Sequence, residues 1–130
     1  MKKMIPKFRA WLKEELEMQD VLAFDTRGHS FLGIEGTNVR VEGWCDYFEV
    51  DKQAVIMQST GLKDLNGVEI FEGDILFDKH HNPQIGVVVF YEGAFQLLAN
   101  NMYYPLIQFD GDVEIIGNIH ENPELLEETE

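Results

Sequence analysis

Five stretches of this chain hold residue types that do chemistry in proteins. Glu72-Gly73-Asp74 places two carboxylates two residues apart, a composition suited to acid–base work or to a hard metal ion. The same trio also spells a reversal, with Gly73 permitting the turn and Asp74 accepting hydrogen bonds from nearby backbone amides. The turn is the expected role. Asp78, His80 and His81 crowd one polar segment, and Asp with His can ligate zinc. Adjacent histidines do not easily point at one ion, and His29 and His120 lie far away in the sequence. No metal or other cofactor is expected.

Cys45 stands between Trp44 and Asp46. A nucleophilic thiol needs a neighbouring base or positive charge, whereas an adjacent aspartate raises its pKa. A buried structural thiol is the expectation. Gly61-Leu62-Lys63-Asp64 has a glycine and a lysine but lacks the GxxxxGK[ST] pattern, so no nucleotide loop follows. Trp11, Trp44 and the Tyr103-Tyr104 pair could stack nucleobases. Without a basic groove around them they are expected in a core or an interface. No catalytic, cofactor-binding or metal-binding residue is therefore assigned.

The elements that carry these residues read as β structure. Asn38-Val39-Arg40-Val41-Glu42 alternates polar and apolar, as a half-buried strand does. Strands are predicted at Phe8–Trp11, Asp20–Phe24, Trp44–Val50, Ala54–Met57, Val68–Phe71, Ile75–Phe77, Gln84–Tyr91, Ala94–Leu98, Leu106–Phe109 and Val113–Ile119, with a looser stretch from Ala99 to Pro105. Asn66-Gly67, Gly73, Glu92-Gly93 and Asp110-Gly111 are the reversals between them. Leu12–Met18 has some helical character but reads better as the tip of a hairpin. Asn122-Pro123 caps a short C-terminal helical turn. The fold class is all-β, a barrel or a sandwich.

Composition narrows the setting. The chain has 130 residues, 45% of them hydrophobic, enough for one core without staples. One cysteine cannot form an internal disulfide. The basic opening Met1–Lys7 is followed by no apolar run long enough for a secretory signal or a membrane span. A cytoplasmic protein with no membrane partner is expected. Residues 1–13 hold five of the ten bases and no acid, while the rest of the chain holds all 24 acids. Phosphate backbones are bound by Lys and Arg, so no nucleic-acid partner is expected.

Three stretches together carry a resemblance. Lys7-Phe8-Arg9-Ala10-Trp11 opens the chain, Gln58 to Ile75 (QSTGLKDLNGVEIFEGDI) occupies the middle, and Ile116 to Leu126 (IGNIHENPELL) closes it. In that order and spacing they resemble the YopX family, small proteins of bacteriophages and prophages, mostly of low-GC Gram-positive bacteria. Leu12 stands where the family pattern has an acidic residue. Residues from about 25 to 55 carry no usable resemblance. The resemblance implies an all-β protein of one domain over 1–130, with a hairpin and sheet region at 1–55 and an SH3-like barrel at 56–130. It implies no established activity and no catalytic residues.

The leading expectation is a non-enzymatic phage accessory protein that binds another protein, one rich in Lys or Arg. Exposed strand edges also predict self-association into a homo-oligomer. A small metal-dependent hydrolase of phage nucleic-acid metabolism, built on Glu72, Asp74, Asp78 and His80, is the alternative. A single-strand nucleic-acid binder using the basic N-terminal arm is a third reading. Convergence of Glu72, Asp74 and His80 in one pocket would favour the enzyme; scatter would favour binding.

Overall fold

A computed structural model describes residues 6–80 and 84–127. The described residues form eleven strands and one α-helical turn: β1 Phe8–Leu12, β2 Glu17–Asp25, β3 Asn38–Val41, β4 Phe48–Glu49, β5 Ala54–Lys63, β6 Glu69–Phe71, β7 Asp74–Asp78, β8 Gln84–Tyr91, β9 Ala94–Ala99, β10 Met102–Pro105, β11 Glu114–Asn118 and α1 Glu124–Glu127. The fold is all-β. Two compact units divide between Gln58 and Ser59, inside β5.

The unit ending at Gln58 is an antiparallel sheet ordered β4-β3-β2-β1-β5. Residues 13–16 form the turn of the β1–β2 hairpin, as expected, with Leu16 at φ 58° closing it. Alternation sends Ala10 and Leu12 of β1, and Val39 and Val41 of β3, into one core with Phe48 and Ala54. Asn38 and Arg40, on the alternate positions, project from the opposite face of β3.

The unit beginning at Ser59 has a five-stranded antiparallel sheet ordered β10-β9-β8-β7-β11, and a ribbon of β6 paired with the second half of β5. Ile70 from the ribbon meets Leu76, Val88 and Leu97 of the sheet in a shared core with Leu106, Phe109 and Val113. This is a sandwich-like arrangement. The five-stranded sheet does not close on itself, so β10 and β11 are left as edges.

Four expected elements come out differently. Trp44–Tyr47 is not strand; pairing in that run is limited to Phe48–Glu49 and an isolated bridge from Val50 to Ala54. The Trp44 ring packs against the core instead, and its indole N–H donates to Glu17 at 3.0 Å. Leu106–Phe109 is a 3-10 turn. Residues three apart share a face in that geometry, which buries Leu106 and Phe109 while Ile107 points out. The loose stretch ends in a real strand, β10, because Asn100 and Asn101 adopt positive φ and reverse the chain after β9. The Ala54–Met57 strand runs on to Lys63 as β5.

Candidate functional site

Glu72, Asp74, Asp78 and His80 are split between the two ends of β7. Gly73, at φ 89°, makes the β6–β7 turn, and the Phe71 amide donates to Asp74 Oδ2 at 2.8 Å. Asp74 thus does the turn-closing work read from sequence. Asp78 sits four residues further along, roughly 13 Å away at the usual rise per strand residue. There the His80 amide donates to its Oδ1 at 3.0 Å, and the Gln84 side chain lies 3.4 Å from Oδ2. Both aspartates are almost wholly buried, 2% and 1% exposed, with backbone amides as partners. His81 lies outside the described residues. Among the described residues no three His, Cys, Asp or Glu side chains cluster as a metal would require. The melting temperature is accordingly expected to be the same with and without EDTA, measured by calorimetry; an ion holding the fold would make chelation cost several kcal/mol.

The long central motif builds the scaffold. Thr60 and Ser59 stand where the β5–β6 register shifts. Thr60 Oγ1 donates to the Ile70 carbonyl at 2.7 Å and accepts from the Leu62 amide at 3.1 Å; Ser59 donates to Glu69 and accepts from the Gly61 amide. Side-chain hydroxyls thereby replace ladder bonds lost at the bulge. Gly61-Leu62-Lys63 is therefore strand backbone, not a phosphate loop. Asp64, 4% exposed, receives the amides of Asn66 and Val68 on Oδ1, each at 2.9 Å, and that of Ile115 on Oδ2 at 3.3 Å.

The closing motif works alike. Asn118 Oδ1 accepts the amides of His120 and Glu121 at 3.0 and 2.9 Å, and its Nδ2 donates to Glu121 Oε1 at 2.9 Å. Asn122 Oδ1 accepts the Asn118 backbone amide at 3.3 Å. Gly117 leaves room for that side chain: a Cβ there would stand 2.5 Å from Asn122 Oδ1.

Cys45 is exposed, not buried as expected. It falls in the bend where the expected strand is missing, so Trp44 faces the core while Cys45 faces solvent. The tyrosine pair divides by strand alternation: Tyr104 packs on the core, and Tyr103 is exposed and stacks on Tyr91 with ring centroids 4.2 Å apart. Phe90 and Met102 are exposed beside them in the sequence order of β8 and β10, at 54% and 57%.

A second feature lies in the region from 25 to 55. A cleft of about 320 Å³ is lined by Asp25, Arg27, Asn38, Arg40 and Tyr47, among others. The Asp25 carboxyl is held below the ordinary aspartate range, chiefly by the Arg27 amide at 2.8 Å; partial desolvation works the other way, and the charges of Arg27 and His29 add to the lowering. Its contribution to stability is present at neutral pH and is lost as the pH falls through its depressed pKa. His29 Nε2 lies 3.2 Å from Asp25 Oδ2, and its ring lies tilted against Tyr47 with centroids 4.5 Å apart. Sequence reasoning passed over this group. The available signal was that the chain has three arginines and two of them, Arg27 and Arg40, lie thirteen residues apart around a strand.

Fold and side chains together define a small, acidic, antiparallel β protein whose most distinctive motifs make turns and mend ladders. The chain belongs to the YopX family: the family model described as YopX protein matches residues 7–127. The solved structure of protein EF1440 from Enterococcus faecalis is 33% identical, with a TM-score of 0.61, over 95% of this chain and 99% of that one. Protein yopX from Bacillus subtilis shares the fold at 19% identity and a TM-score of 0.58, over 92% of this chain and 97% of that one. No curated protein matches the sequence. Among the described residues, no helix is long and apolar enough to cross a membrane.

Proposed function

We propose that this chain is a phage- or prophage-encoded accessory protein that works in the host cytoplasm by binding a basic protein, without catalysis. The observation that carries this reading is the makeup of the unit from Ser59 onward. Residues 59–130 hold two bases, Lys63 and Lys79, against fourteen acids, and they display exposed Phe90, Tyr91, Met102 and Tyr103. An acidic unit with exposed aromatic side chains suits a partner presenting Lys or Arg around an apolar anchor. The separation of Glu72 and Asp74 from Asp78 and His80 along β7 weighs against the hydrolase reading. Self-association through the β10 edge fits the same surface.

Affinity capture from phage-infected cells, followed by kinetics on the captured protein, tests this. Complementary charge mainly speeds encounter, so the on-rate should fall steeply with added salt while the off-rate changes less. A captured partner that binds through an acidic face, or whose on-rate ignores salt, overturns the proposal. Fluorescence anisotropy with labelled single- and double-stranded DNA at about 0.15 M salt, where the Debye length is about 8 Å, should show no micromolar binding. Binding there would promote the nucleic-acid reading instead.

A further inference from the structure

Asn38 is wholly buried, with 0% exposure, and half of its amide is left without a partner. Its Nδ2 donates to the Arg27 and Gly36 carbonyls, both at 3.0 Å. Two carbonyl acceptors fix the orientation of the amide, since a flipped group would set oxygen against oxygen. The outward loop from Arg27 to Gly36 is thereby tied to β3. Asn38 Oδ1, however, accepts no hydrogen bond. A buried acceptor left unmade costs about 1–3 kcal/mol, and buried polar groups of this kind are rare enough to need a reason.

The surroundings supply one. Asn38 forms part of the wall of the 320 Å³ cleft, and the register of β2 and β3 puts Asp25 opposite Asn38 and Ala23 opposite Arg40. Two of the chain's three arginines line this one cleft in a protein of net charge −14. Asp25 does not cancel them both, because Arg27 Nε at 3.7 Å and His29 at 3.2 Å already flank its carboxylate. Guanidinium groups favour carboxylate and phosphate. The volume is at the lower end of small-molecule sites, which suits one small molecule rather than a polymer.

We infer that this cleft binds a small organic anion that also carries an N–H or O–H donor, the anion lying on Arg27 and Arg40 and the donor serving Asn38 Oδ1. The inference is independent of the acidic surface from Ser59 onward. Two sources offer that chemistry: a nucleoside monophosphate with an exocyclic amine, and a free α-amino acid.

Titration of the full-length ¹⁵N-labelled protein with AMP and with L-alanine tests it by NMR, with adenosine and acetate as probes that lack one half of the chemistry. AMP or alanine should shift the Asn38 side-chain amide and the backbone amides of Asp25, Arg27 and Arg40; which of the two does so identifies the anion. Adenosine and acetate should bind at least about tenfold more weakly, a factor worth about 1.4 kcal/mol. Arg40→Ala and Arg27→Ala, both at exposed side chains, should weaken the productive probe about tenfold or more while leaving the melting temperature in place. The inference is overturned if neither AMP nor alanine moves these signals at about 10 mM, a concentration weaker than any useful site. It is equally overturned if acetate matches alanine, or if both arginine variants bind as the wild type does.

Discussion

Asp64→Ala is expected to destabilise the protein by about 3 kcal/mol, since it strips the acceptor from three backbone amides at roughly 1 kcal/mol or more each. Two of those amides, of Asn66 and Val68, belong to the local turn, and the third, of Ile115, comes from 51 residues away. The carboxylate is therefore a local cap and a long-range tie at once. Its neighbours use the same junction: the Leu65 amide donates to the Val113 carbonyl, and the Lys63 amide to Asp110 Oδ1. Asp64→Asn keeps one oxygen and should fall between wild type and alanine. Urea unfolding of the three proteins measures this. If Asp64→Ala unfolds at the wild-type midpoint, the motif is not the scaffold described above, and a chemical role for its carboxylates regains support.

Gly86→Ala should cost about as much, roughly 3 kcal/mol, the upper end of the usual penalty for overpacking a tight interior. Gly86 lies in β8 between β7 and β9, opposite Leu76 on one side. A methyl group there would stand 2.8 Å from Leu97 Cδ1 and 2.8 Å from the Leu98 carbonyl oxygen. The leucine could rotate, but the carbonyl belongs to the neighbouring strand and cannot withdraw without opening the β8–β9 ladder. Leu97→Ala in the same background should recover part of the loss by vacating the space, even though it costs about 2–5 kcal/mol alone. Thermal melts of the two single variants and the double variant give the coupling. Strictly additive losses would show that the close approach at Gly86 is relaxed in solution.

Much of the fold was legible because β structure declares itself locally. The alternation in Asn38–Val41, the Asn66-Gly67 and Glu92-Gly93 reversals and the Asn122-Pro123 helix start are each written within a few residues. Trp44–Tyr47 and Leu106–Phe109 misled for one reason: apolar content marks burial, not the hydrogen-bond partner that makes a strand. Trp44 buries its ring without a ladder, and Leu106 with Phe109 buries the i and i+3 positions of a 3-10 turn. Cys45 was expected buried because nothing beside it would activate a thiol, but its exposure is decided by the bend it occupies.

By itself the sequence determined the all-β class, the turn at Gly73 with Asp74 closing it, and the acidity of everything after Ser59. These depend on residue type and near-neighbour spacing, which chain connectivity preserves. Tertiary structure alone decided that Glu72 and Asp74 lie a strand's length from Asp78 and His80, because distance along β7 emerges only once β7 is a strand. It also decided that Asp64 holds the Ile115 amide and that Asn38, Arg27 and Arg40 share one cleft. Those meetings depend on which strand pairs with which and in what register, a cooperative choice made by the whole packed sheet.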